Sequence, residues 1–566
     1  MASKNRGINI FRHVPKASPN RGQFPINHSC DFDGDFGVGY PVFCQEVLPG
    51  DTWHVSADHF SRLAPMIAPV YHDFDVKFHW FYVPMRLLWE DFEDWMTGGR
   101  TGTWREDNPD SFPLFNLDDL FGSSDEIIGT SLDFLGVNTC TDGQENSVEI
   151  RSNTTLPVMP IRGYFLLFNY FFRDQNVTEE NVISLKSGIM DVEELSQMFG
   201  DCTDKLFFPV AWDKDYFTSA TLSPQRGPEV FVPIGSNAPV RTIDPLNGQV
   251  AVTHVTGPLN DIAIPNQSPI FAEPDSHSGG EYYGELSAFN VPTQLMGLTT
   301  ISNDDFAENG TYADLSASEG ASINDVREAF ALQRFFERMQ VVGSRFSEFL
   351  RGIWGTNAGD ARLQMPEYLG TWFNPFMINN VSNTTGTASN PQGGYAGNGM
   401  ATQYNKPIHK NFPEYGYLYC IYSAMPRNGY QQGLSPVFTR RDWLDFANPY
   451  FEHIGEQPIK IEELYFDPSK TLAQREETFG YQSQYANYKF INSHSHGTFK
   501  TSLNFWHANR IFSEQPTLST EFISYNKEES TDRVFVLPEE PKFYTTIQFG
   551  GYVERNLSPY STPRII

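Results

Sequence analysis

The chain has 566 residues and a formal net charge of −29, with 40% hydrophobic, 15% aromatic and only 19% charged residues. This length exceeds the ~250–300 residues of a single compact core, so the chain needs several domains or one framework with large insertions. Low charge combined with many aromatic side chains excludes a disordered chain. The acidic balance excludes a chain that binds nucleic acid over its whole surface, because phosphate contacts require clustered Lys and Arg.

Residues 1–30 form a basic arm on this acidic body. No acidic residue precedes Asp31, and the arm contains five cations: Lys4, Arg6, Arg12, Lys16 and Arg21. The simplest interpretation is a solvated, flexible N-terminus. The N-terminal sequence lacks the apolar stretch of a signal peptide, and apolar runs such as FLLF at 165–168 are too short to cross a bilayer. We therefore expect no membrane insertion and a protein that is made and kept in a cytosol.

Strand-like segments follow the arm. Residues 40–56 predict two extended segments separated by a Pro-Gly turn pair. Residues 72–84 alternate apolar and polar side chains, which predicts a strand with one apolar face. Residues 85–99 change to helical spacing and predict a short helix that ends at a Gly-Gly pair. Residues 156–173 are densely aromatic and predict a buried helix that starts near Pro160.

The middle of the chain contains longer excursions. Residues 220–310 are rich in Pro, Gly, Asn and Ser, and we predict an ordered insertion there. Residues 322–354 show a long helical pattern with Phe330 on its apolar stripe and a break at a Gly-Ser pair, whereas residues 382–405 predict almost pure loop. Strands return from residue 415 onwards in the segments GYLYCIYSA, RVFVL and TTIQFGGYVERN. Strands at both ends of the chain predict that the first and last strands pair, as in Greek-key and jelly-roll folds.

The sequence contains few candidates for catalysis or metal binding. Phosphate-binding loops, nucleophile elbows and zinc-protease motifs do not occur in it. His494 and His496 come closest to a metal pair, but no third ligand is identifiable nearby, so an exposed polar strand or loop is the favoured interpretation. Asp31, Asp33 and Asp35 superficially resemble a calcium loop, yet the ligand spacing fails and a turn rich in Asp and Gly is favoured.

Two further groups of residues have structural interpretations. The acidic run at 90–94 is most simply the solvated face and first turn of the predicted helix, not a pair of catalytic acids. The five cysteines are scattered and odd in number, which predicts free thiols in a reducing compartment and neither a disulfide framework nor a zinc knuckle. They are Cys30, Cys44, Cys140, Cys202 and Cys420.

Several segments resemble the major capsid proteins of gokushovirus-type microviruses. Each segment is weak evidence alone, but together they occur in the order of that family and run from about residue 40 to about residue 535. They are FSRLAPMIAP at 60–69, HWFYVPMRLLW at 79–89, RGY at 162–164, NYFFRD at 169–174, REAFALQR at 327–334, DARLQMPEYLG at 360–370, YQQGL at 430–434, GEQ at 455–457 and FGYQ at 479–482.

The resemblance implies a mainly β fold, an eight-stranded antiparallel viral jelly roll with long loop and helical insertions. Gokushoviruses are thought to raise protrusions at their three-fold axes from an insertion in this protein, and the loop-rich stretch is our candidate. The implied divisions are a basic arm at 1–30, the first part of the jelly-roll core at 31–219, the loop-rich insertion at 220–320, a helical insertion at 321–370, a Gly/Asn-rich loop at 371–414, and the final strands and C-terminal tail at 415–566.

The same resemblance implies a structural protein and not an enzyme, with no cofactor, catalytic residue or metal site. Sixty copies are expected to form a T=1 icosahedral shell around a circular single-stranded DNA genome and to present the host-attachment surface. Expected partners are further copies of the chain in pentamers and in the shell, a scaffolding protein, a pilot or minor capsid protein, and a host surface receptor. Assembly is expected in the cytoplasm of a host bacterium, and the product is a virion.

Charge makes packaging a problem for such a shell. Its subunits carry the same sign as the genome, so we predict a small, strongly basic DNA-packaging partner. The basic arm would give local help, and its candidate inner-surface DNA contacts are Lys4, Arg6, Arg12, Lys16 and Arg21. Aromatic residues on the inner wall could also stack on unpaired bases.

Two alternatives come from other classes of protein. A β-sandwich that binds carbohydrate would share the aromatic and loop content, but it should carry an export signal. A β-rich glycoside hydrolase would need two carboxylates ~5–10 Å apart in a cleft. With 69 acidic residues in the chain, composition leaves the hydrolase open.

Overall fold

The computed structural model describes residues 20–97, 112–120, 127–137, 154–200, 202–203, 205–225, 227, 323–342, 364–384 and 392–559, and four short strands between residues 240 and 313. The chain divides into two compact units. One comprises Met1–Pro224 and Gln340–Ile566, and the other comprises Gln225–Met339. Most of the predicted insertion at 220–320 lies outside the described residues.

Nineteen strands occur in the described parts of the chain and are numbered in chain order. They are β1 Gly22–Pro25, β2 His28–Gly34, β3 Tyr40–Val47, β4 Thr52–Leu63, β5 Phe74–Pro84, β6 Leu114–Asn116, β7 Thr155–Pro157, β8 Val240–Thr242, β9 Phe271–Ala272, β10 Leu286–Ser287, β11 Thr311–Ala313, β12 Glu367–Pro375, β13 Met377–Ser382, β14 Tyr395–Gln403, β15 Ile408–Asn411, β16 Gly416–Pro426, β17 Glu456–Lys460, β18 Thr478–Ser483 and β19 Phe543–Arg555.

Most of the described helices are short, and none of them is both long and apolar enough to cross a membrane. The α-helices are α1 Phe92–Thr97, α2 Ser131–Phe134, α3 Met159–Leu167, α4 Val192–Phe199, α5 Ile323–Val342, α6 Ile461–Leu464, α7 Leu472–Arg475, α8 Ala486–Lys489, α9 Thr520–Ile523 and α10 Lys527–Ser530. A π-helix at Phe168–Phe172 continues α3. Tighter 3₁₀ helices occur at Met85–Leu87, Leu117–Asp119, Pro436–Phe438, Trp443–Asp445, Pro449–Phe451, Gly497–Lys500 and Asn504–Trp506.

Two antiparallel sheets form the framework of the first unit. In the first sheet β2, β19, β4 and β14 lie side by side, and β1, β13 and β15 extend it to seven strands. In the second sheet β3, β16, β5 and β12 lie side by side. Most consecutive long strands lie in different sheets, which is jelly-roll connectivity. The predicted fold class is therefore confirmed, although the strict count of eight strands is not, because three additional strands enlarge the first sheet.

The last strand closes the first sheet against the first strands of the chain. β19 pairs with β1 from Gly22↔Arg555 and with β2 up to Phe543↔Gly34. Its other edge pairs with β4 over twelve residue pairs. The prediction that the first and last strands pair after a long excursion is confirmed.

Aromatic side chains fill the space between the two sheets. Tyr422 of β16 is fully buried, and its ring centroid lies 5.2 Å from that of Phe32 and 5.5 Å from that of Phe543. Its hydroxyl lies 3.3 Å from Ser61 Oγ and 3.2 Å from Thr545 Oγ1. The polar end of this ring is thereby hydrogen-bonded inside an apolar core, which removes the cost of burying it.

Strand β5 differs from the prediction of one apolar face. Nearly all of its residues are buried, so both faces of the strand are covered. The second face is covered because the π-helix packs on it: the ring of Phe81 lies 4.8 Å from Phe171, and the ring of His79 lies 5.2 Å from Phe172. The predicted helix that starts near Pro160 is present as α3 and the π-helix, and Pro160 stands in its first turn, whereas residues 156–157 belong to β7.

The prediction of a loop at 371–414, and of almost pure loop at 382–405, is wrong. Strands β13, β14 and β15 lie there, and β13 and β14 form an antiparallel pair. Two of the glycines that suggested a loop lie inside β14, where the strand passes close to its neighbours. A Cβ atom on Gly399 would collide with Leu63, and one on Gly397 would collide with the backbone of Ala68. Glycine is needed there for close approach and not for a turn.

Two other local predictions are also wrong. Asp31 and Asp33 belong to β2 and not to a turn, because the Asp-Phe-Asp alternation leaves the acids exposed while Phe32 packs on the core. The RVFVL segment makes only an isolated bridge between Phe535 and Met66, since just two backbone hydrogen bonds flank it: Ile67 N–H to Val534 O, and Val536 N–H to Pro65 O.

The predicted helices at 85–99 and 322–354 are present where the chain is described, whereas residues 98–99, 322 and 343–354 lie outside the described residues. α1 follows a 3₁₀ turn, and the acids of its first turn are solvated as predicted. α5 ends at Val342, directly before the predicted break. Phe330 is 67% exposed and so does not lie on a buried stripe, because none of the α5 side chains described is fully buried.

A second, smaller core lies mainly in the connection between β16 and β19. It gathers apolar side chains from residues 430–523 of that connection and from residues 216–220, which precede β16 in the chain. Beside it, the guanidinium of Arg510 is fully buried, 4.3 Å from the ring of Phe522 and 2.8 Å from the carboxylate of Glu529. This core lies under the exposed segments 437–454 and 488–491, which are described below.

Candidate assembly surfaces

The described end of the basic arm is attached to the first sheet. Arg21 donates to Thr52 Oγ1 at 2.8 Å and to Gly50 O at 3.3 Å, and it lies 3.5 Å from the carboxylate of Glu554. Its charge is therefore already engaged by an acidic partner. The other candidate DNA contacts, Lys4, Arg6, Arg12 and Lys16, lie outside the described residues.

The two histidines proposed as a possible metal pair lie side by side. The ring centroids of His494 and His496 are 4.6 Å apart, and His494 makes an isolated bridge with Tyr430. Across the part of the chain that the structure describes, no three His, Cys, Asp or Glu side chains form a group that could hold a metal ion. Two ligands are fewer than a structural zinc site requires.

Cys30 and Cys44 are suited to packing and not to chemistry. The four that the structure describes form no disulfide with one another, and Cys140 lies outside the described residues. Burial raises the pKa of Cys30 to about 11 and that of Cys44 to about 12. A thiol with a raised pKa carries little thiolate near neutral pH and is a poor nucleophile.

A broad cleft of about 1180 Å³ lies beside β2. Acidic side chains outnumber basic ones in its lining, and Asp31, Asp33, Asp133, Glu514 and Glu521 are among them. Such a surface disfavours a polyanion such as the backbone of DNA, because like charges repel. An open acidic cleft of this kind is a feature that the hydrolase alternative could use.

A dense group of exposed apolar side chains lies between β16 and β17 and at the end of α8. We call it the aromatic surface. Its side chains are between 46% and 92% exposed, with Tyr450 at the upper limit and Ile491 at 85%. Its members are Val437, Phe438, Trp443, Leu444, Phe446, Tyr450, Ile454, Tyr488, Phe490 and Ile491.

Short capped turns hold the aromatic surface in place. Three 3₁₀ helices follow one another, and the second begins with a capping box between Asp442 and Asp445, in which Asp442 accepts from the Trp443 N–H at 2.6 Å. The third follows Asn448, whose side chain accepts from the Tyr450 N–H at 3.1 Å. Asp and Asn in these positions satisfy backbone donors that a short helix leaves unpaired.

Arg440 joins the two halves of the aromatic surface. Its guanidinium carbon lies 4.3 Å from the ring centroid of Tyr488 and 5.6 Å from that of Phe446, so one cation contacts two aromatic rings. The Tyr488 hydroxyl also accepts from the Ala447 N–H at 3.4 Å. These contacts hold Tyr488 of α8 against the part of the first segment that carries Arg440, Phe446 and Ala447.

Ion pairs attach this surface to the second core. Arg441 lies 3.7 Å from the buried carboxylate of Glu462 and 3.6 Å from Glu476. Lys489 lies 3.9 Å from Glu452, which bridges α8 and the third 3₁₀ helix. Ion pairs thus hold this segment against the protein, while its apolar side chains are exposed to solvent.

The sequence analysis did not identify the aromatic surface. Its main segment, PVFTRRDWLDFANPYFEHI at 436–454, has aromatic residues without a period of two or of 3.6, separated by Pro, Asp and Asn. Neither a strand nor a helix pattern therefore marked it. The available signal was an aromatic-rich segment that fits no regular element and is still bounded by turn residues.

Comparisons with known proteins identify the family. The family described as capsid protein (F protein) matches residues 12–565. Capsid protein VP1 of Chlamydia phage 1 is 30% identical to this chain over 98% of the chain and 97% of its own length. Capsid protein VP1 of Bdellovibrio phage phiMH2K is 29% identical over 98% and 97%, and that of Spiroplasma virus 4 is 27% identical over 97% and 95%.

These matches decide among the classes of protein considered above. The resemblance to the capsid proteins of gokushovirus-type microviruses is confirmed over nearly the full length. The glycoside-hydrolase and carbohydrate-binding alternatives are not supported, because the relatives are named as structural proteins. The chain therefore belongs to the capsid protein (F protein) family of phages and is a structural component of a virion.

Proposed function

We propose that this chain is the major shell subunit, that sixty copies form a T=1 icosahedral capsid, and that the shell encloses a circular single-stranded DNA genome. The proposal rests chiefly on the match of proteins named capsid protein VP1 to 97–98% of the chain. The jelly-roll framework supports it, because a rigid two-sheet body can present loops and edges to several neighbours at once. The exposed aromatic surface supports it as well, since soluble monomers rarely expose large contiguous apolar areas.

Assembly proceeds through pentamers with the help of a scaffolding protein in the cytoplasm of the host bacterium. Sedimentation velocity of the purified 64.3 kDa chain, with and without the candidate scaffolding protein, tests this order of events. We expect a species of five times the chain mass alone, and shells when the scaffolding protein is added. A chain that stays monomeric at every concentration under both conditions would contradict the proposal.

The genome is neutralised by a small, strongly basic partner and in part by the basic arm. A net charge of −29 per subunit makes the average field of the shell unfavourable for DNA, and the acidic cleft does not change that sign. Arg21 is engaged with Glu554, so the candidate contacts that a deletion of residues 1–19 removes are Lys4, Arg6, Arg12 and Lys16.

Two variants separate these contributions to packaging. Deletion of residues 1–19 should lower the DNA content of purified particles, measured by the ratio of absorbance at 260 and 280 nm, without abolishing the shell. Arg21→Ala should leave the DNA content unchanged because its partner is Glu554. An unchanged DNA content after the deletion would remove the arm from the packaging proposal.

The insertion at 220–320 forms the protrusion at the three-fold axis and carries the host-attachment surface. A pilot or minor capsid protein acts near that surface. The separate compact unit Gln225–Met339 supports an insertion of this kind. A shell in which residues 228–310 are replaced by a Gly-Ser linker should assemble but fail to adsorb to susceptible cells. Normal adsorption by such particles would place the receptor contact elsewhere.

A further inference from the structure

We infer that the aromatic surface is a contact between two copies of this chain, in which the same surface of each copy packs against the other. The inference rests on the proposed function, because it names the partner and the residues of one of the contacts that build the shell. It depends on three properties of the surface: its area, its rigidity and its charge.

The area is sufficient for a specific contact. An aromatic side chain exposes roughly 150–250 Å² when it is free, so ten large side chains from 46% to 92% exposed present on the order of 1,000 Å². A stable interface of standard size buries about 800 Å² on each partner, whereas the largest apolar patch of a monomer is about 300–600 Å². One copy of the surface is thus large enough to cover another.

The rigidity of the surface reduces the entropy that is lost on association. The 3₁₀ helices are fixed by the side-chain caps of Asp442 and Asn448, and Arg440 holds Tyr488 and Phe446 in one arrangement. Aromatic side chains have few rotatable bonds, so they lose less freedom than Lys or Met when they become ordered. A preorganised apolar surface with capped ends is built to bind, because most of its ordering has occurred on folding.

The charge of the surface favours a second copy of the chain as its partner. The chain as a whole carries −29, so most pairs of surfaces on two copies repel. The segments 436–454 and 486–491 carry three cations and three acids, so two such surfaces can approach without net repulsion. These residues are Arg440, Arg441 and Lys489, and Asp442, Asp445 and Glu452.

A matched pair of variants tests the contact in the full-length chain. Tyr450→Ser removes a side chain that is 92% exposed on the aromatic surface, and Tyr404→Ser removes one that is 86% exposed outside it. We expect sedimentation equilibrium to show self-association of Tyr450→Ser weakened by at least about 30-fold, the effect of one hot-spot residue, and that of Tyr404→Ser unchanged. Ile491→Ser should weaken it in the same way as Tyr450→Ser.

Cross-linking tests whether the same surface lies on both sides of the contact. Tyr450→Cys treated with a flexible bis-maleimide should give covalent dimers as the end product, because a like-with-like contact closes after two copies. Tyr404→Cys under the same treatment measures the background from native thiols. Dimers at the background level would overturn the like-with-like arrangement.

The remaining outcomes separate this inference from the proposed function. If the wild-type chain self-associates and both Tyr450→Ser and Ile491→Ser associate equally well, the inference is overturned while the shell proposal stands. If these variants form normal shells but lose binding of another virion protein, the surface belongs to that protein and the inference is again wrong. If the wild-type chain never self-associates, the proposed function fails first and the inference fails with it.

Discussion

The second sheet and the aromatic surface use the same kind of side chain for opposite purposes. In the sheet, Trp80 and Tyr422 are buried between the first sheet on one side and the helical segment on the other. On the aromatic surface, Tyr450 faces solvent in a 3₁₀ helix capped by Asn448, and Ile491 faces solvent just beyond the end of α8. Aromatic content alone therefore does not show whether the aromatic side chains of a segment are buried in the fold or exposed on its surface. The difference depends on whether another element of the chain covers them.

Removal of a buried ring should produce the largest effect on folding. Trp80 is fully buried, with its ring centroid 5.4 Å from Trp372 and 5.5 Å from Phe43. Trp80→Ala should lower the free energy of unfolding by about 3–5 kcal/mol, because it loses apolar contacts and leaves a cavity. Trp443→Ala, from the aromatic surface, is the matched control. Equal losses in urea unfolding for both variants would break the distinction between the two regions.

The second core should respond almost as strongly to the loss of its buried cation. Arg510→Met removes the partner of Glu529 and should cost about 3 kcal/mol, because a largely buried carboxylate is left unpaired. The double variant Arg510→Met, Glu529→Gln should recover part of that loss in guanidinium unfolding. A single variant that loses less than about 1 kcal/mol would show that the pair contributes little to the support of the aromatic surface.

Acid should weaken the buried region by an intermediate amount. Burial lowers the pKa of His59 to about 4 and that of His79 to about 3, whereas a free histidine titrates near about 6.5. The unfolded chain therefore takes up protons first, and stability that is present above pH 6.5 is lost as the pH falls towards 4. For His59 alone the loss between pH 7 and pH 5 should be about 2 kcal/mol.

The variant His59→Phe isolates the contribution of that residue. Neither ring nitrogen of His59 has a hydrogen-bond partner in the structure, and its ring lies 5.1 Å from Phe78, so an apolar ring is tolerated there. Thermal unfolding of His59→Phe at pH 7 and pH 5 should show a smaller acid effect than the wild type. An identical pH dependence in both chains would assign the acid effect to other groups.

Tyr450→Ser should have the smallest effect on folding. The side chain is almost fully exposed and only its backbone N–H is used by the Asn448 cap, so the free energy of unfolding should change by less than about 0.5 kcal/mol. Chemical unfolding at concentrations below self-association measures it. A loss comparable with that of Trp80→Ala would mean that the aromatic surface stabilises the fold and would remove the contrast between the two regions.

The framework was largely predictable from local patterns. Strands β3, β4, β5, β16 and β19 follow alternating or continuous apolar runs, and a Pro-Gly pair separates β3 from β4. The prediction of secondary structure failed where a residue type is compatible with more than one structure. Gly397 and Gly399 suggested a loop, but they permit β14 to pass close to its neighbours, a requirement that only the tertiary structure reveals. The strand prediction for the RVFVL segment was wrong for the converse reason. Its composition suits a strand, but the segment makes only an isolated bridge and has no neighbouring strand with which to pair.

The candidate surface was less predictable than the fold. Exposure depends on what other elements cover, so no local pattern distinguishes Tyr450 from a buried tyrosine such as Tyr422. The family could be identified from short segments, because those segments are spread along the chain and occur in the order of that family. The basic arm was visible from charge alone, but charge did not indicate that Arg21 has Glu554 as a partner more than five hundred positions away.

The position of β19 has a consequence for how the chain is made. Gly22 and Arg555 are paired although they lie 533 positions apart (555 − 22), and β4 also pairs with β19. During synthesis β1, β2 and β4 leave the ribosome with unpaired edges, and contacts of such long range form slowly. The first sheet is completed only after β19 has been synthesised, so a polypeptide that is released before β19 lacks the strand that joins β1 and β2 to β4.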